Sequence, residues 1–236
     1  MVIRMLVILT ALAAWAGADQ NAARSGQPMT TLRTIIHVEP STDSPLRDVV
    51  KIGFSNHLPL GLALGTGIDA NICRGNLELV AGDITVAELI DHLNRQLPGY
   101  HSSLEDGIID VTAKKLSQGG AHLLNLILPE FRANRATAEL MAFTLWTFVR
   151  ASIAPQAATG FVGAESSGAE PLEPMELRNA TARQILNRIV GQGKGAVWVF
   201  RDPNVDKVDE STHMPFKVYG YVGDQGFLSS TIACSR

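Results

Sequence analysis

LELVAGDITVAELIDHLNRQLPGYHSSLEDGIIDVTA, residues 77–113, changes its apolar period twice. Leu77 and Leu79 flank Glu78 with the period of two that marks a half-covered strand, and Val86, Leu89, Ile90 and Leu93 then recur at helical spacing. Thr85 stands where a helix N-cap belongs, and Glu88 three residues on completes the pattern of a capping box. Pro98-Gly99 turns the chain, and Ile108, Ile109 and Val111 follow the hairpin signal Asp106-Gly107 as a further strand. The stretch therefore reads strand, helix, strand.

The same grammar returns later in the chain. Met175 to Leu177 is a strand, Thr181 to Gln184 is again a capping box, and Ala182, Ile185, Leu186 and Ile189 repeat the apolar spacing of the first helix. Outward from the first copy, Thr31 to Val38 is rich in β-branched residues and reads as a strand. Ser44-Pro45 opens a short helix with Leu46, Val49, Val50 and Phe54 on one face. Leu58-Pro59 stops it, and Leu60, Leu62 and Leu64 alternate as a strand before the Gly65-Thr66-Gly67 loop. Residues 30–113 thus form one βαββαβ module, and residues 114–121, polar with a Gly-Gly pair, a linker. From 122 the series restarts. His122 to Phe131 is a strand, with Pro129 placing its end or an edge there. Residues 137–153 are a helix whose Leu140, Met141, Phe143, Thr144, Trp146, Thr147 and Phe148 make it the element expected to be most buried. Residues 158–162 are a weak strand and 163–174 a Gly/Pro-rich loop. The second capped helix and Ala196 to Phe200 close a divergent second module, residues 122–222, to which Pro215 to Val222 adds a strand. The expected fold class is α+β: two tandem βαββαβ modules, each a small mixed sheet packed by two helices.

Composition bounds the function. The chain has 236 residues, enough for one large domain or two small ones, and the repeat favours two. With 46% apolar and 18% charged residues it can build a core. Twenty basic against 23 acidic residues, a net charge of −3, leave no surplus to neutralise phosphates, so nucleic acid is not expected as a partner. At the N-terminus, Arg4, the apolar run Met5 to Ala14 and Ala16-Gly17-Ala18 read as a secretory signal peptide, residues 1–18, cleaved after Ala18. The run falls short of the roughly 20 apolar residues of a membrane span, and no other run reaches that length. A periplasmic or secreted protein is expected, without a membrane span once the signal is removed. Two cysteines remain, Cys73 and Cys234. In an oxidising compartment they either form one disulfide, closing a loop of about 160 residues worth up to roughly 4–5 kcal/mol in the chain-entropy model, or stay as two thiols.

The segment Leu77 to Leu93, the Pro98-Gly99-Tyr100 turn and the closing Glu105-Asp106-Gly107-Ile108-Ile109-Asp110-Val111 resemble the short N-terminal domain of secretins and TonB-dependent receptors, the STN domain, and similar domains of secreted bacterial proteins. The resemblance covers about a third of the chain; the second unit matches mainly through Met175 to Phe200. It implies an envelope-side interaction domain, a signalling module contacting a regulator in receptors and part of a periplasmic ring in secretins. No plug, barrel or secretin core follows before Arg236, so the partner, an envelope protein, is expected on another chain.

The sequence carries no catalytic or metal-binding motif. The six histidines lack metal-ligand spacing; His92 and His101 are the nearest pair, one on a helix and one by a turn, and read as surface residues. Gly65-Thr66-Gly67 and Gly191 to Gly195 lack the spacing of a phosphate loop, and the second ends a helix instead of opening one. There is no nucleophile elbow, and no order of Ser, His and Asp suggests a triad. Glu165, Glu170 and Glu173 lack calcium-loop spacing. Asn179-Ala180-Thr181 is a formal glycosylation sequon whose threonine is a helix cap. Trp146 and Trp198 sit in apolar surroundings and read as core, while Tyr219 and Tyr221, two apart on one strand, share a side and offer a binding face. No catalytic, metal or cofactor residue is assigned, and no enzyme is expected. The expected role is a protein–protein interaction module for signalling or assembly; the alternative is a binder of a small ligand or cell-wall fragment in the cleft between modules.

Overall fold

The computed structural model describes residues 30–39, 44–65, 77–154, 170–193, 195–203 and 214–219. In the first half these form β1 (Ile35–Val38), α1 (Pro45–Ser55), β2 (Leu60–Leu64), β3 (Gly82–Thr85), α2 (Val86–Gln96), β4 (Tyr100–Glu105) and β5 (Ile108–Ala113). After α3 (Gln118–Asn125), the second half contributes β6 (Ile127–Ala133), α4 (Ala138–Ile153), β7 (Met175–Thr181), α5 (Ala182–Gln192), β8 (Val197–Arg201) and β9 (Phe216–Tyr219). The protein is α+β, and among the described residues no helix is long and apolar enough to cross a membrane.

Both helices expected from the repeated pattern begin as the sequence says. The Thr85 hydroxyl accepts from the Glu88 N–H, and the Glu88 carboxylate accepts from the Thr85 N–H at 2.7 Å. Thr181 and Gln184 do the same at α5. In each case two side chains satisfy two donors that the helix start would otherwise leave bare. The Thr85 backbone N–H, and after it the Thr85 hydroxyl, hold the Glu88 carboxyl below the usual glutamate range. A carboxyl depressed in the fold stabilises above its unfolded pKa, and that stabilisation is lost as pH falls through the folded value. In an NMR titration Glu88 is therefore expected to protonate below the ordinary glutamate range. Thr85→Ala should move it back toward that range and cost about 1 kcal/mol of stability; an unlowered Glu88 titration in the unmodified chain would contradict the bonded cap.

The two capped helices also share their strand surroundings. Ile35 lies opposite Thr85 in the antiparallel pair β1–β3, and Ile127 opposite Thr181 in β6–β7. The Val86 N–H donates to the Thr34 carbonyl at 2.9 Å, and the Ala182 N–H to the Leu126 carbonyl at 3.0 Å. Each helix is then followed by an antiparallel pair, β4–β5 in the first half and β8–β9 in the second. The β4–β5 hairpin turns at Asp106 and Gly107, with φ of 52° and 79°, the left-handed pair that an Asp-Gly turn accommodates.

Those pairs do not stay in separate sheets. They join in one five-stranded sheet of order β4-β5-β2-β8-β9, in which β2 runs parallel to both β5 and β8. The strand alternation then serves two cores. Leu60, Leu62, Leu64, Ile109, Val111, Val197 and Val199 pack with α1 and α2. Ala63, Ile108, Trp198, Phe200, Phe216 and Val218 pack with α4 and α5. Because side chains of a strand alternate between faces, the helices of the two halves cover opposite faces of the shared sheet. β2 is accordingly buried along its whole length, Gly61 and Ala63 included.

Several expected boundaries move. The strand read at Leu77 to Leu79 forms later, as Gly82–Thr85, where Ile84 opposes Ile36 of β1. Residues 118–125, divided in the sequence reading between linker and strand, form α3, and the strand starts at Ile127. Ser117 caps α3, and its N–H and hydroxyl both bond the Asp202 carboxylate just past β8. A carboxylate at a helix N-terminus faces the positive end of the helix dipole, and a Cβ on Gly120 would fall 2.6 Å from it, so glycine permits the approach. The α4 helix buries Met141, Ala142, Leu145, Trp146 and Val149, but Phe143 only partly, and Phe148 stays 37% exposed with its ring edge-on to Phe131. The most buried element is β2, not α4. The expected strand at 158–162 lies outside the described residues.

Candidate functional site

The halves meet along β2 and β8, where Gly61 lies opposite Trp198. The Trp198 indole, with no exposure, occupies the space above Gly61, where a Cβ would come within 2.4 Å of the ring. Its Nε1–H donates to Asn187 Oδ1 at 2.7 Å. The Arg183 guanidinium lies 5.8 Å from the centre of the same ring and bonds Asp110 Oδ2 and Thr112 Oγ1, each at 2.7 Å. The Thr112 hydroxyl in turn donates to Asp110 Oδ1 at 2.5 Å. Asp110 and Thr112 belong to β5 and Arg183 to α5, so a charge pair and a hydroxyl tie the first half to the second. Asp110 is 2% exposed, and both its oxygens are engaged. Groups matched in this way hold elements in register. Between β2 and β8 the described residues form a continuous ladder, with the Trp198 ring packed over Gly61.

Strand edges are the second feature. The Asn56 side chain, just past α1, accepts from the His37 N–H at 2.7 Å and donates to the His37 carbonyl at 2.8 Å. Gln96 treats Glu78 in the same way at 2.8 and 3.2 Å, and Asn94 treats Ser102 at 2.8 and 2.9 Å. A carboxamide presents a donor and an acceptor side by side, so each satisfies both backbone groups of one residue. On a strand it takes the place that a neighbouring strand would fill. Unpaired edges invite other chains, and the first half closes two strand residues this way, His37 of β1 and Ser102 of β4. On β6 the device is Pro129, which has no N–H to offer.

The face of the β1–β3 pair turned away from the core carries Ile35, 70% exposed, and His37, bonded to Asp83 at 2.8 Å. Leu32, 51% exposed, lies nearby, its carbonyl accepting from the Ala87 N–H at 3.0 Å. The corresponding face of β6–β7 carries Ile127, 60% exposed at the position equivalent to Ile35, beside a charged network: Arg132 reaches Glu130 at 2.7 Å and Glu176 at 3.4 Å, and Arg178 reaches Glu176 at 3.0 Å. The outward face of the first small sheet, with Leu32 close to Ile35 and fewer charges around them, is the more apolar of the two and is able to bury area against a partner.

No family model, curated protein or solved structure matches the chain. Its functional reading therefore rests on its own geometry and on the repeat. Of the residues singled out in the sequence, Tyr219 is half-buried and packs against the first core, whereas Tyr221, Cys73 and Cys234 lie outside the described residues. Trp146 and Trp198 are core, as expected, and so is Tyr100, at 2% exposure. His101 is exposed and His92 half-buried, and no group of three or more His, Cys, Asp or Glu among the described residues is placed to hold a metal ion. Glu170 and Glu173 are exposed; Glu165 lies outside the described residues.

The carboxamide clamps and the Arg183–Asp110 tie were not read from the sequence. Their only local sign is position: Asn94 and Gln96 lie in the last turn of α2, and Asn56 just past α1, each a short step from an extended segment. Amides are common enough there that the sign becomes informative only once the strands are placed.

Proposed function

We propose that the protein is a non-enzymatic bacterial envelope protein, exported by residues 1–18 and periplasmic or secreted, that serves as a protein–protein interaction module for signalling or assembly in the manner of the STN domains it resembles. The observation that carries this reading is the way its two halves associate: one related unit meets the other edge to edge, β2 against β8, and continues its sheet. Strand addition is a recurring mode of recognition between chains, and here it operates within one. With that junction closed, the surface offered to an envelope partner is the outward face of β1–β3 around Leu32 and Ile35. The alternative, a small ligand or cell-wall fragment held between the halves, would need room where the Trp198 ring lies over Gly61.

The mature chain, immobilised and exposed to envelope extract of the source cells, is expected to retain one protein in stoichiometric amount. Ile35→Glu, a change on an exposed side chain, should abolish that retention while leaving the fold intact by circular dichroism. Retention of no protein at mild salt overturns the reading and moves the search to cell-wall fragments. Retention unaffected by Ile35→Glu leaves the interaction module standing but displaces its surface.

A further inference from the structure

Superposing Thr85 on Thr181 along the repeat places Asn94 on Val190 and Ser102 on Trp198, without a gap through helix and strand. The two halves thereby show the same strand in two conditions. In the second half, the side of β8 away from β9 is taken by β2. In the first half, β4 ends the sheet order among the described residues, and the backbone of Ser102 bonds the Asn94 side chain at 2.8 and 2.9 Å. Val190 has no polar group to play that part, and its side chain is wholly buried in the second core. The carboxamide is present where the sheet stops and missing where it continues.

We propose that Asn94 is an edge guard: it occupies the outward N–H and C=O of Ser102, and without it β4 pairs antiparallel with β4 of a second copy of this chain. The occupant follows from the edge itself. β2, the strand that serves β8, is already enclosed on both sides. An isologous pair about a two-fold axis needs only the patch that each chain carries. Setting Ser102 opposite its counterpart lets each N–H meet the other's carbonyl, replacing the two bonds that Asn94 supplies. In that register His101 falls opposite Ser103, Tyr100 opposite Leu104 and Glu105 opposite Gly99, so no like charges face each other. The shared sheet would then run unbroken through both copies.

Sedimentation of Asn94→Val and Asn94→Ala is the test, with the unmodified chain at the same concentrations. Both variants are expected to double in mass in a concentration-dependent manner. Adding Ser102→Pro, which deletes the outward N–H without touching a bond to β5, should return them to the parent mass. Folded Asn94 variants that keep the parent mass overturn the proposal, as does doubling that persists with Ser102→Pro. Should either substitution prevent folding, hydrogen exchange in the unmodified chain decides. A guarded Ser102 amide exchanges as slowly as the β4 amides bonded to β5, and exchange at the rate of an open edge overturns the guard.

Discussion

Replacing Trp198 with alanine is expected to destabilise the protein by about 3–5 kcal/mol, the range for deleting a large aromatic side chain from a packed core. The site offers little room for relaxation. The indole has no exposure, Gly61 beneath it carries no side chain that could swing into the space, and Asn187 would keep a buried acceptor whose donor is gone. A domain commonly has about 5–15 kcal/mol in total, so much of the margin rests on one ring. Equilibrium denaturation measures the loss, and Trp198→Phe separates its parts: the ring is largely retained while the Nε1–H is removed, so a smaller cost of about 1–3 kcal/mol is expected. A change within about 0.5 kcal/mol for Trp198→Ala would be that of a surface site and would contradict this packing. Both variants should unfold in a single transition, because β2 and β8 belong to one sheet; two separated transitions would mean that the halves fold independently.

What could be read from the chain and what could not divides by the range of the interactions. Thr85 with Glu88, Thr181 with Gln184 and the Asp106-Gly107 turn are decided within four residues, and the structure forms all three. The two capped helices are legible for the same reason, since each carries its cap and apolar face in its own sequence. β3 was misplaced because Leu77 and Leu79 alternate as well as any strand. Pairing with β1 decides the matter, and it reaches Gly82 to Thr85 instead. Helix α3 was missed because two of its eight residues are glycines, poor helix formers; it is held by Ser117 and by Asp202, far away in sequence.

The shared sheet was beyond local reading altogether. Leu60, Leu62 and Leu64 alternate with Gly61 and Ala63, which looks like a strand with one apolar face and one small face toward solvent. Gly61 and Ala63 are instead small because Trp198 and α5 close over that face. A residue small for exposure and one small for close approach look alike in a single sequence. The parallel ladder β2–β8 likewise joins segments whose patterns carry no mark of each other. The clamps made by Asn56 and Asn94 are visible only once β1 and β4 give them edges to close.

Arg183→Met should cost about 3–5 kcal/mol, the penalty for stranding one member of a buried ion pair. Asp110, 2% exposed in the unmodified chain, loses the guanidinium that bonds its Oδ2 and keeps the Thr112 hydroxyl, and the contact of the guanidinium with the Trp198 ring is lost as well. Arg183 itself keeps 18% of its side chain in contact with solvent, so water entering at that end would place the cost toward the lower bound. Methionine preserves most of the aliphatic stem, which keeps the comparison on charge and hydrogen bonding. The decisive measurement is a double-mutant cycle with Asp110→Asn. If the two groups act on each other, the double variant loses less than the two single losses together, by about 1–3 kcal/mol. Additive losses would mean that Arg183 stabilises α5 through its stem and the ring, leaving the β5–α5 charge pair without energetic weight. A measured coupling would identify this pair, with the ladder beside it, as what fixes the two related units in one orientation, and so as what presents the β1–β3 face to a partner as part of a rigid body.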